Sequence, residues 1–137
     1  MRLSCFAVIA VLAAGCGSAT EPHTSDVAFA HAQWLGFHPA SYSFDLSMQA
    51  STPPSGPVHI TVTNGLRSSA LDQSATPLEF WDVTIDTIWA QILSARQSGM
   101  LNSAEFTMSG VPTDVDMGSW ANDYGVHYTI RNFTVVH

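Results

Sequence analysis

The stretch Val58-His59-Ile60-Thr61-Val62-Thr63-Asn64-Gly65-Leu66 decides the fold. Val58, Ile60 and Val62 alternate with His59, Thr61 and Thr63, the period of a half-buried strand whose successive side chains take opposite faces. Asn64-Gly65 then supplies the two positive-φ residues of a type I′ turn, so Leu66 to Leu71 returns antiparallel. Upstream, Ser41 to Met48 alternates without error, with Tyr42, Phe44, Leu46 and Met48 on one face and Ser43, Asp45 and Ser47 on the other. Between these strands, Ser51-Thr52-Pro53-Pro54-Ser55-Gly56-Pro57 reads as a loop, because Pro donates nothing to a ladder.

Helical spacing flanks this hairpin region. Ser25 can cap a helix that places Val27, Ala30, Trp34 and Leu35 on one face and stops at Gly36. A second helix begins around Trp81, capped by Asp82 or Thr84, with Ile85, Ile88, Trp89, Ile92 and Leu93 forming a core-facing stripe and Gly99 ending it. Residues 72–80 are polar and irregular. Two last strands follow: Leu101 to Met108, burying Ala104, Phe106 and Met108, and Val126 to Val136, burying Val126, Tyr128 and Ile130. The phase breaks at Asn132-Phe133, which predicts a bulge. No βαβ repeat is present. The expectation is an α+β domain: an antiparallel sheet of about five strands with two helices packed on its apolar face.

The N-terminus carries an address. Arg2 precedes an apolar run from Cys5 to Ala14 that is about ten residues long, roughly 15 Å as a helix and too short for a ~30 Å bilayer core. Basic start, apolar run and small residues make a secretory signal. Leu12-Ala13-Ala14-Gly15-Cys16 resembles the bacterial lipobox, with Ala13 where Leu is more usual; the plainer reading is a signal peptide with an incidental Cys. The division expected is signal peptide 1–15, lipidated Cys16 and tether 16–24, and one domain 25–137. Cys16 then anchors the chain in a membrane through several acyl chains, and Gly17 favours the outer membrane, facing the periplasm, in a two-membrane host. With Cys5 removed and Cys16 acylated, the mature chain holds no thiol, so cysteine nucleophiles and zinc–thiolate sites are excluded.

Charge narrows the partners. There is no Lys, and four Arg face eleven acids for a formal charge of −7, or −8 once Arg2 leaves with the signal. Such a surface repels nucleic acid. Charged residues are only 11% and apolar residues 46%, the reverse of a disordered composition.

Several marks now fall in order: the lipobox, Trp34 near a helix end, Tyr42 heading a strand, Val62-Thr63-Asn64-Gly65, and Thr84-Ile85-Asp86 opening a helix. Gly110-Val111-Pro112-Thr113-Asp114-Val115-Asp116 and Tyr124-Gly125-Val126-His127-Tyr128-Thr129-Ile130-Arg131-Asn132-Phe133 close the series. Together they resemble an uncharacterised bacterial lipoprotein family, domain of unknown function six-one-seven-four, over roughly residues 26–136. Members often carry a Cys-x-Cys pair after the first strand, absent here around Met48 to Ser51, and an aromatic where Val111 stands. The family has no assigned activity, so the resemblance implies a fold and an address but no mechanism.

Candidate chemistry is sparse. Asp114-Val115-Asp116-Met117-Gly118 offers alternate oxygen ligands for calcium, but the EF-hand order needs a ligand at Gly118 and a Glu at Gly125. A polar turn joining the last two strands explains the same residues. His31 and His38 stand two helical turns, about 10 Å, apart, too far for one ion. Trp81 and Trp89 invite a sugar-stacking reading, although Trp89 lies on the core stripe. By alternation the sheet's polar face carries Asp45, His59, Thr61, Arg67, Glu105, His127, Thr129 and Arg131. Histidine beside a carboxylate suits proton transfer or a metal; solvated cross-strand charge pairing is the plainer reading of the same residues and the one preferred. No Gly-x-Ser-x-Gly elbow is present. No catalytic residue, metal or cofactor is assigned. The two readings are a non-catalytic envelope module that binds a protein or small ligand, and a small hydrolase or metal-dependent enzyme using the polar face.

Overall fold

The computed structural model describes residues 22–50, 55–72 and 82–137. Its elements are β1 (His23–Thr24), α1 (Val27–Phe37), β2 (Tyr42–Ala50), β3 (Ser55–Thr63), β4 (Leu66–Leu71), α2 (Ile85–Gln97), β5 (Leu101–Thr107), β6 (Pro112–Met117) and β7 (Val126–Val135). The signal, Cys16 and most of the tether lie outside the described residues, as do Ser51 to Pro54, residues 73–80 and Trp81.

All seven strands form one antiparallel sheet in the order β1-β5-β6-β7-β2-β3-β4. The expected sheet of about five strands is therefore corrected to seven, and strands hold about twice as many residues as helices. The fold is sheet-dominated. Two strands escaped the sequence for different reasons. β1 is two residues long, too short for any periodicity to show, and lies in what reads as tether. β6 opens on a proline and carries Asp114 and Asp116, which read as turn residues; in the sheet they point to one face while Val115 and Met117 are buried on the other.

After β1 the order is a helix and three strands, twice. The strands β4-β3-β2 and β7-β6-β5 lie side by side in the same sense, joined along β7 and β2. That seam runs from Tyr42 opposite Val135 to Ala50 opposite Val126 and holds one extra β7 residue. Asn132, at φ 53°, marks the bulge where the phase of the sequence breaks. The β3–β4 turn is Asn64-Gly65 with both φ values positive, as the sequence predicts. β3 starts earlier than expected, at Ser55, so Ser55 to Pro57 belong to a strand and not to a loop.

Both helices contribute to the core on one face. Ala30 and Trp34 of α1, and Ile85, Ile88, Trp89 and Ile92 of α2, meet Phe44, Leu46, Ile60, Phe106, Val115 and Ile130. Trp89 stacks flat on Phe106, with centroids 4.8 Å apart, and is core. Asp26, not Ser25, caps α1 through Phe29 N–H, and the helix passes Gly36 to end at Phe37. Thr84 caps α2 with a reciprocal Thr87 contact. Leu35, Leu93 and Met108, expected inside, are exposed.

Contacts between the helix ends and the sheet fix the helix layer. Asp86 Oδ1 accepts the Trp34 indole N–H at 2.9 Å and meets His38 Nε2 at 3.0 Å. The Tyr42 hydroxyl accepts Ile85 N–H at 3.1 Å, and burial pushes that phenol up to about 12 against the lowering effect of the same hydrogen bond. Gly110, at φ 83°, turns β5 into β6 directly under α1: a Cβ there would strike the Ala30 carbonyl and the Trp34 backbone. The Gly110 carbonyl also accepts the Trp89 indole N–H at 3.0 Å.

Candidate functional site

With helices on one face, chemistry-bearing side chains collect on the other. Asp45 on β2 stands opposite His59 on β3 and Arg131 on β7. His59 Nδ1 lies 2.7 Å from Asp45 Oδ1, and Asn132 Nδ2 donates to Oδ2 at 2.7 Å. Burial alone would raise the Asp45 carboxyl; the Asn132 and His59 hydrogen bonds and the His59 charge outweigh it and hold the group below its ordinary value. Asn132 escaped the sequence as a polar partner, although the broken phase marked its position.

A second pair sits across the sheet. His127 Nε2 on β7 meets Asp114 Oδ1 on β6 at 2.9 Å. Asp116, opposite His127, accepts the Trp120 indole N–H at 2.9 Å and an Asn102 amide N–H at 3.1 Å. The acidic run first weighed for calcium is thus spread along a strand, each acid with its own neighbours. His59 pairs with position 45 of β2 and His127 with position 49, on opposite sides. Two strand spacings and four residues of rise separate them by roughly 16 Å. They do not converge. Among the described residues no three His, Cys, Asp or Glu side chains are grouped to hold a metal ion.

Arg67 is not on this face. The β3–β4 register shifts between Thr61 and Val62, which sets Arg67 opposite buried Val62, and its Nε lies 3.7 Å from Asp82 Oδ1 ahead of α2. A shift of one residue exchanges the two faces of a strand, and simple alternation does not register it. Glu105 is on the polar face, opposite Asp114 and exposed. Of the two histidines on or just beyond α1, His38 belongs to the Asp86 cluster and His31 packs on Trp89 at 4.9 Å.

A cleft opens where β6 and β7 part. Their pairing ends at Asp114 opposite Thr129; two further steps would set Pro112, which has no N–H, against Arg131. The Arg131 Nη1 instead donates to the Thr113 and Ile130 carbonyls, both at 2.9 Å, and so bridges the gap. Behind it lies a cavity of about 550 Å³. Val111, Ile130 and Phe133 supply its apolar walls, and His23, Glu105, Ser109, Thr113, Asp114 and Arg131 its polar ones. Nη1 is occupied, while a guanidinium has five N–H donors, and Arg131 has no carboxylate partner among the described residues. The arrangement is one that holds a ligand by a guanidinium and hydroxyls over an apolar wall.

Fold and site define a small antiparallel-sheet domain with two helices on one face and an open polar face split by a cleft. The chain belongs to the family of unknown function DUF6174, whose family model matches residues 26–135. No curated protein and no solved structure matches it.

Proposed function

We propose that this protein is a lipid-anchored module of the bacterial cell envelope that binds a protein or small ligand at its polar sheet face without transforming it. The anchoring half of the reading rests on Leu12 to Cys16, with Gly17 favouring an outer-membrane position facing the periplasm. The binding half rests on the cleft between β6 and β7, where Arg131 retains unused donors beside exposed Glu105. The enzyme reading of this face expects His59, His127 and an acid in one place. Each histidine instead has its own carboxylate, roughly 16 Å from the other pair by strand register.

The test is cross-linking in the native host with Cys16 intact, followed by mass spectrometry of what is recovered, for the wild type and for Glu105→Arg. Glu105 is exposed, so its replacement leaves the core untouched. A recurrent partner whose recovery falls at least tenfold in the variant supports the reading. Recovery that is unchanged, or no partner at all, overturns the binding half. An N-terminal peptide without acyl mass overturns the anchoring half.

A further inference from the structure

We infer that the outer face of α1 lies on the lipid surface to which Cys16 is anchored, an inference that rests on the anchoring reading above. The eleven residues Val-Ala-Phe-Ala-His-Ala-Gln-Trp-Leu-Gly-Phe of α1 contain no Asp, Glu, Lys or Arg. A surface helix ordinarily turns charged and polar side chains outward. Here the inward side is taken by Ala30 and Trp34, and at 100° per residue the outward side is Ala28, Phe29, Ala32, Leu35 and Gly36, flanked by the polar Gln33 on one edge and by His31, which packs on Trp89, on the other. Phe29 is 38% exposed and Leu35 61%. Among the described residues nothing covers them.

The path of the chain points to lipid as the occupant. β1 pins His23 and Thr24 to β5 two residues before the Asp26 cap, so the start of α1 is fixed close to the tether. Seven residues separate Cys16 from His23 and span at most about 23–25 Å. The helix is therefore held within reach of the bilayer that carries the acyl chains. On the opposite face of the sheet stand Asp45, Glu105, Asp114 and Asp116, while the helix side carries Asp26 at the start of α1 and Asp82 and Asp86 around the start of α2. Laying α1 down leaves the cleft face, with Asp45, Glu105, Asp114 and Asp116, open to the aqueous compartment. The contact is made by apolar burial, since α1 has no Lys or Arg to reach for anionic lipid.

The experiment uses the acylated full-length protein in phosphatidylcholine vesicles, with an environment-sensitive dye on Leu35→Cys or on Ser103→Cys. Ser103 is exposed opposite Asp116 on the polar face. Both sites are at the surface, and the acylated chain has no other thiol to label. Expected is a blue shift and several-fold stronger quenching by spin-labelled lipid at position 35 than at 103, unchanged when anionic lipid is added. Equal quenching by aqueous iodide at the two positions, with acylated Cys16 confirmed by mass, overturns the inference and leaves the anchor standing. An unacylated Cys16 overturns the anchor and the inference with it. Protection of position 35 that grows with protein-to-lipid ratio assigns the face to a second copy and also overturns it.

Discussion

At the scale of single residues, Asp45 shows how a polar sheet face becomes a stability device. Its two oxygens accept from His59 and Asn132, which come from strands on either side of β2. Because the folded carboxyl is held below its ordinary value, its contribution is present above the unfolded value near pH 4 and fades as pH falls through the lower folded one. Asp45→Asn is expected to cost about 1 kcal/mol at pH 7, allowing for partial exposure. The difference between wild type and variant should shrink as pH falls below about 4. Urea midpoints for both proteins across that range read this directly; a constant difference contradicts the assignment.

Elements meet at two glycines of the same backbone hand, and their surroundings differ. Gly65 and Gly110 both have positive φ, at 77° and 83°, but a Cβ on Gly65 meets open space while one on Gly110 meets the backbone of α1. Alanine at 65 pays only the left-handed strain, about 1 kcal/mol. Alanine at 110 must also push α1 off the β5–β6 turn and disturb the Trp89 indole bond, an expected total of about 3 kcal/mol or more. Thermal melts of Gly65→Ala and Gly110→Ala separate the two, with a drop of more than 10 °C at 110 and a few degrees at 65. Equal shifts would show that the turn, and not the helix contact, makes the demand.

Across the whole molecule, the two helix-and-three-strand units share one core. Trp34 and Tyr42 from the first pack on Phe133 from the second, at 6.2 and 5.3 Å between ring centroids, over the β2–β7 seam. Neither unit can bury its aromatic residues alone. Unfolding is therefore expected as one transition, with tryptophan fluorescence and far-UV circular dichroism coinciding along a urea titration. Two separated transitions would mean that the units fold independently. The same architecture gives the molecule two unlike sides, with the uncharged α1 face on one and the acidic, cleft-bearing sheet face on the other.

What the sequence determined by itself is whatever a local period or a turn residue encodes. The Val58–Leu66 hairpin, the Thr84 cap, the stripe from Ile85 to Ile92 and the bulge at Asn132 are of this kind, because each is specified within about ten residues. The polar face was legible in part: alternation put Asp45, His59, Glu105, His127 and Arg131 there. Only the tertiary structure decided how strands order and slip. Pairing across the sheet separated His59 from His127, a one-residue shift moved Arg67 to the other face, and a two-residue strand was recognised only by its partner β5. The cleft has the same origin. It exists because Pro112, at the start of β6, falls against Arg131 midway along β7, a juxtaposition of residues nineteen apart in the chain that no local pattern records.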